Sequence, residues 1–198
     1  TYAFTNAHII IDYENQISNG TLIIQNDKII DVGDNIVIPK GAIIFNLEGD
    51  YIYPSFIDLY SSYGIKKTIQ RKHTHYPQFN SNKEGAYHWN EAVHPEINAC
   101  EQFSTNNQDA TNYLSSGFGV VLTHQQDGIV RGTSSLVSLS QEKESSVILN
   151  PKTALFFSFK KGTSSQNYPS SLMGSIALIK QFLLDAYWYK NQEDFINL

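Results

Sequence analysis

Histidine residues offer this chain its most varied chemistry, because imidazole binds metals and titrates near neutral pH. Two groups of histidines have the spacing of metal ligands. His73 and His75 would lie on the same side of a strand, and His88, Glu91 and His94 follow one another at intervals of three residues. The first pair follows a run rich in lysine, and a proline follows the second group. We therefore interpret the first as a solvated basic loop and the second as a structural or interface element.

Two further polar residues lie where predicted strands end or turn. His124 directly follows the apolar run 118–123, and Arg131 precedes a glycine. A histidine at the carboxyl end of a strand either binds a ligand or completes the rim of the fold. A guanidinium beside a glycine either binds a carboxylate or phosphate group or pins a loop through a salt bridge. The sequence leaves both pairs of alternatives open.

Composition excludes several classes of protein. With 198 residues, 41% of them hydrophobic, the chain can form one large or two small packed domains. The net charge of −5 and the lack of a long basic run argue against a nucleic-acid partner. No apolar stretch approaches the roughly 18 to 20 residues that cross a membrane. The single cysteine, Cys100, excludes an internal disulfide and a thiolate-rich metal site.

The residues that would position these groups fall into two regions. Residues 1–53 contain short β-type runs separated by turn residues, with Asn26 and Asp27 forming a two-residue hairpin link. The apolar run 55–60 has the pattern of a strand buried on both faces in a parallel sheet. Residues 61–112 are predicted to form a long irregular excursion. The remaining predicted elements are a helix over 109–116, a buried strand over 118–123, an exposed strand over 133–140, an apolar strand over 153–159, and a helix after Pro169 with Leu172, Ile176, Ile179 and Leu183 on its packed stripe.

The order and spacing of these runs resemble the amidohydrolase superfamily, in particular its imidazolonepropionase-like and dihydroorotase-like branch. The segments that carry the resemblance are 4–10, 19–24, 26–33, 38–42 and 53–58. Segments 87–91, 117–136 and 168–174 are similar to a bacterial subgroup in which a copy lacking the metal histidines accompanies or is fused to a complete one. The resemblance therefore extends over most of the chain.

The resemblance implies a metal-dependent hydrolase whose first barrel strand ends in a His-x-His pair that binds zinc or another divalent ion. Pro54 and Asp58 match that motif, but Ser55 replaces its glycine, and Tyr60 and Ser62 occupy the two histidine positions. A phenol with a pKa near 10 is a poor zinc ligand, and a serine hydroxyl is poorer. We therefore expect no catalytic residues and no cofactor in this chain, with Asp58, His124 and Arg131 as possible ligand contacts.

The fold that the resemblance implies is α/β: an N-terminal β-sandwich over 1–53, followed over 54–198 by the first part of a (β/α)₈ barrel. A closed barrel of this type needs about 250 residues, and only 145 follow Tyr53 (198 − 53). We therefore expect a partial barrel that is completed by a remaining barrel segment or a paralogous amidohydrolase subunit.

Three functions remain open from the sequence. The first is a pseudoenzyme or scaffold for a catalytic copy. The second is part of an active hydrolase of C–N bonds in cyclic amides, with its metal ligands beyond Leu198. The third is a non-enzymatic ligand-binding module. The chain begins at Thr1 rather than Met, from which we expect that an upstream segment was removed, as in an exported bacterial protein.

Overall fold

The chain forms two compact units, Thr1–Ser55 and Phe56–Leu198. A computed structural model describes residues 1–68 and 87–196. The predicted pair His73 and His75 lies outside the described residues.

The first unit is a single five-stranded sheet. Its strands are β1 (Tyr2–Ile10), β2 (Gln16–Gln25), β3 (Lys28–Gly33), β4 (Ile43–Asn46) and β5 (Tyr51–Ile52). β1 pairs antiparallel with β2 and parallel with β4 and β5, and β2 pairs antiparallel with β3. The β2–β3 turn is the predicted one, since Asn26 and Asp27 both adopt positive φ angles of 50° and 60°. All five strands of this unit belong to one hydrogen-bonded sheet.

The core of this sheet is small and lies on β1 and β2. Ala7, Ile9 and Leu22 are buried there. Gly20 lies opposite Ala7, and a side chain at this position would come within 2.7 Å of the Ile9 side chain. The glycine therefore permits the close approach of the Ile9 side chain to β2.

The strands of the second unit, over its described residues, are β6 (Phe56–Ser61), β7 (Phe118–Thr123), β8 (Val130–Thr133), β9 (Ser135–Ser138), β10 (Ile148–Asn150) and β11 (Leu155–Phe157). Four of them form a mixed sheet with the order β10-β9-β7-β6. β6 and β7 are parallel, whereas β7–β9 and β9–β10 are antiparallel. A separate two-stranded sheet joins β8 and β11. The described residues contain no closed barrel.

The described residues of this unit form four helices: α1 (Ala99–Gln102), α2 (Asn107–Ser115), α3 (Glu144–Val147) and α4 (Leu172–Ile196). α2 begins where the Asn106 side chain accepts hydrogen bonds from the backbone N–H groups of Gln108 and Asp109. It shares a buried cluster with β7 and β9 that includes Ala110, Val121 and Val137. α1 and most of α2 lie within the excursion predicted over 61–112, so that segment is partly helical. Among the described residues, no helix has the length and apolar character needed to cross a membrane.

Three expectations about burial are wrong. β6 is not buried on both faces: Phe56 is 65% exposed and Leu59 is 66% exposed, because β6 lies at the edge of its sheet. On the described part of α4, Leu178 is the buried apolar residue, whereas Leu172 and Leu183 of the predicted stripe are at least half exposed. The strand predicted to be exposed over 133–140 corresponds to β9, whose residues alternate between buried and half-buried positions, while Thr133 is the last residue of β8.

Gly132 holds β8 close to the segment that precedes α1. Its φ angle is +77°, and an added Cβ would overlap the carbonyl oxygen of Ile97. That carbonyl accepts a hydrogen bond from the Thr133 N–H at 2.8 Å. The glycine therefore fixes the position of β8, the strand that carries Arg131.

We expect Gly132→Ala to lower the free energy of unfolding more than Gly117→Ala does. Both glycines have positive φ angles, but an added Cβ at Gly117 meets only the Phe56 side chain, at 3.3 Å. The conformational penalty alone is about 1–2 kcal/mol, and the Gly132 substitution must also displace backbone. Urea unfolding followed by circular dichroism measures both values. Equal losses for the two variants would show that the approach to Ile97 does not constrain the fold.

Candidate functional site

The carboxyl ends of β6 and β7 lie side by side, since the two strands pair in parallel with Ser61 opposite Thr123. Tyr60 lies near the end of β6, Ser62 follows that strand, and His124 follows β7. The His124 N–H donates a hydrogen bond to the Ser61 carbonyl at 3.1 Å. Three residues singled out from the sequence therefore lie together at the carboxyl end of the sheet.

Arg131 is a buried cation at this carboxyl end of the sheet. Its side chain is 5% exposed. The guanidinium donates from Nε to the Gly128 carbonyl at 3.1 Å and from Nη1 to the Tyr60 hydroxyl oxygen at 2.6 Å. Within the described part of the chain, Arg131 forms no ion pair with a carboxylate. The salt bridge considered from the sequence is therefore absent there, and the buried charge is stabilised by neutral oxygen atoms.

His124 is fully buried beside this cation. Its ring stacks on Phe156, with centroids 3.7 Å apart, and meets the Tyr60 ring edge-on at 4.8 Å. Neither ring nitrogen hydrogen-bonds to a described residue. Burial, followed by the positive charge of Arg131, lowers the pKa of His124 to about 4, although the Leu122 carbonyl and Asp58 act in the opposite direction. The imidazole is therefore neutral at neutral pH.

Asp58 is turned toward its own strand. It is half-buried, and its Oδ1 accepts a hydrogen bond from the Tyr60 N–H at 2.9 Å. The negative charge of Asp58 is near enough to His124 to oppose the lowering of its pKa. Asp58 supports the conformation of β6 at Tyr60.

A cavity of about 510 Å³ opens at the same end of the sheet. Ser62 and Arg131 line it, together with the amide side chains of Gln125 and Gln126. Two lysine pairs complete its charged wall, one after β6 and one after β11; they are Lys66, Lys67, Lys160 and Lys161. The second pair is not among the residues predicted from the sequence, where its local signal is only a lysine doublet soon after an apolar strand.

The wall after β11 is held by Asp127. Its carboxylate accepts hydrogen bonds from the Thr163 N–H at 2.7 Å and from the Thr163 hydroxyl at 2.6 Å. Gly162 has a φ angle of +65°, and an added Cβ would overlap Asp127. On the same segment, Lys161 Nζ donates to the Gln166 carbonyl at 2.6 Å. These contacts fix the loop that carries the second lysine pair.

His88, Glu91 and His94 do not form a metal site. His94 Nδ1 lies 3.2 Å from a carboxylate oxygen of Glu96, and Glu91 accepts a hydrogen bond from the Ser165 hydroxyl at 3.3 Å. His88 accepts a backbone hydrogen bond, and burial lowers its pKa. Across residues 1–68 and 87–196, no three His, Cys, Asp or Glu side chains are grouped so that they could hold a metal ion.

The fold is similar to that of an amidohydrolase from Thermotoga maritima MSB8, whose crystal structure is known. The TM-score is 0.75 at 22% sequence identity, and the match covers 98% of this chain but 50% of the other. The chain thus spans half the length of that amidohydrolase. No family model matches the sequence, and no curated protein matches it.

Below pH 6.5, we expect the protonation of His124 to lower the free energy of unfolding as the pH decreases. Its pKa rises from about 4 in the folded chain to 6.5 when it is released, so the unfolded chain binds more protons between these values. The contribution is fully present above pH 6.5, and on the order of 3 kcal/mol is lost as pH falls to 4. Urea unfolding at a series of pH values measures the slope.

The matched variant is His124→Phe, which keeps an aromatic ring against Phe156 and Tyr60 but does not titrate. We expect it to flatten the slope between pH 4 and 6.5. An unchanged slope in His124→Phe would mean that His124 is not held neutral by its surroundings.

Proposed function

We propose that this chain is the N-terminal half of an amidohydrolase-superfamily protein of the imidazolonepropionase-like and dihydroorotase-like branch, and that it holds no catalytic metal. In this proposal it acts as a pseudoenzyme or scaffold for a catalytic copy. The fold similarity to an amidohydrolase over half its length supports the first part. The observation that carries the second is the hydrogen bond from the buried Arg131 guanidinium to Tyr60.

The side chains at the carboxyl ends of β6 and β7 do not fit a divalent metal. The resemblance puts Tyr60 and Ser62 at the positions of the two metal-binding imidazoles, and neither side chain is a good ligand for zinc at neutral pH. The Tyr60 hydroxyl oxygen already accepts a hydrogen bond from a permanent cation at 2.6 Å. A divalent ion there would be repelled by Arg131 and by the nearby lysines. We therefore derive no hydrolytic step through a metal.

The scaffold role is supported by an open sheet edge. β6 has a paired neighbour on one side only within the described residues, and Phe56, Ile57 and Leu59 on it are more than half exposed. An exposed apolar edge strand readily pairs with another chain or segment. In a closed barrel, this edge would be covered by the last strand. The proposed cover is accordingly the remaining barrel segment or a paralogous amidohydrolase subunit.

We expect the purified chain to retain no stoichiometric zinc after dialysis against zinc-containing and then zinc-free buffer. Plasma mass spectrometry measures the metal content, and Tyr60→Phe is the control, since it removes the phenol without adding a ligand. A chain with one tightly held zinc ion that hydrolyses a cyclic amide, and loses this activity to a chelator, would contradict the proposal. The double variant Tyr60→His, Ser62→His tests whether the two positions bind zinc once the rest of a barrel is present.

Self-association through β6 is expected when the chain is isolated. Leu59→Lys places a charge on the exposed face of the edge strand and should therefore shift the chain toward monomer. Leu114→Lys is the control, because Leu114 is also exposed, at 43%, but lies on α2. Sedimentation velocity over a range of concentrations measures the distribution. If the wild-type chain stays monomeric at every concentration, or if both substitutions have equal effects, β6 does not act as an uncovered edge strand.

A further inference from the structure

The positive charge of the second unit is concentrated around one cavity. The whole chain carries a net charge of −5 with 14 Lys and Arg residues, yet five of those 14 line the cavity at the ends of β6 and β7. They are Arg131, Lys66, Lys67, Lys160 and Lys161. Among the described residues of the wall, Asp127 is the single carboxylate, so this part of the lining has a formal charge of +4 (five cations less one anion). A concave surface of one sign focuses its potential into the cavity.

Arg131 gives this cavity a buried anchor. The residue is 5% exposed and lines the cavity, but its two hydrogen bonds go to the neutral oxygen atoms of Gly128 and Tyr60. A buried charge is costly unless an opposite charge accompanies it. No carboxylate in the described part of the chain provides that charge through an ion pair. The missing counter-charge is most simply supplied by a ligand.

Asp127, the acidic residue of the described wall, does not supply the counter-charge of Arg131. The Asp127 carboxylate accepts the N–H and hydroxyl hydrogen bonds of Thr163, at 2.7 and 2.6 Å. It is therefore committed to the loop that carries Lys160 and Lys161. Asp58, on β6, is outside the cavity lining and accepts the Tyr60 N–H.

We propose that this cavity binds a small anion with a carboxylate or phosphate group, and that Arg131 is its buried contact. A guanidinium matches both groups geometrically because its N–H donors lie in one plane. The lysine pairs on either side add charge, and Gln125 and Gln126 add neutral donors. The volume of about 510 Å³ lies within the usual range of roughly 300–1,000 Å³ for small-molecule sites.

This inference goes beyond the proposed function and does not rest on it. It depends on the charge and burial of the cavity wall, whichever family the chain belongs to. The two proposals have separate readouts, since zinc content tests one and anion binding tests the other. A chain without zinc that also binds no anion would overturn the present inference alone.

Isothermal titration calorimetry with inorganic phosphate and with succinate, each at constant ionic strength adjusted with sodium chloride, tests the inference. We expect saturable binding of at least one anion at one site per chain. Preference for phosphate or for succinate identifies which group the cavity takes. If neither anion binds saturably above the chloride background, the inference is wrong.

Matched variants locate the binding. The double variant Lys66→Gln, Lys160→Gln removes two exposed cations from the wall and should raise the dissociation constant about five- to tenfold. Lys152→Gln removes an exposed lysine outside the cavity and should leave the constant unchanged. Arg131→Lys keeps the charge but loses the planar donors, and it should weaken binding about tenfold or more, with circular dichroism used to verify the fold. Equal affinities of wild type and both cavity variants would overturn the assignment.

Discussion

The burial of the Arg131 guanidinium is the constraint on which the candidate site depends. The charge is held by the Tyr60 hydroxyl and the Gly128 carbonyl, so it links β6 to β8 and to the loop between β7 and β8. It also contributes to keeping His124 neutral, and it opposes a divalent ion at the end of β6. The close approach at Gly132 is needed to keep β8, and with it the cation, at this position.

The local features of the fold could be predicted because short-range chemistry determines them. Asn26 and Asp27 form the expected turn, and the strand predicted over 118–123 has the predicted bounds. The burial of β6 could not be predicted, because an apolar run looks the same whether its strand lies at the centre or the edge of a sheet. α4 was misjudged for a related reason. α4 carries more apolar side chains than the described part of the unit buries, and Leu178 lies outside the expected stripe.

The candidate site was predictable as single residues and not as an arrangement. Tyr60, Ser62, His124 and Arg131 were singled out from the resemblance and from their places beside predicted strands. The parallel pairing of β6 and β7 brings Tyr60, Ser62 and His124 together, and the hydrogen bond from Arg131 on β8 to Tyr60 adds the fourth residue. Neither the strand pairing nor this contact can be deduced from the sequence. The two lysine pairs of the cavity are remote from each other in the chain, so no local pattern could indicate that they share a wall.

The separate cores of the two units have a consequence for cooperativity. Ala7, Ile9 and Leu22 form a cluster of the first unit alone, and the larger clusters belong to the second. Each cluster draws its residues from one unit, so backbone amides of the two units need not share one exchange-protection factor. A single melting temperature would then average two equilibria, and only residue-resolved hydrogen exchange would assign a change in stability to the sheet or to the ligand cavity.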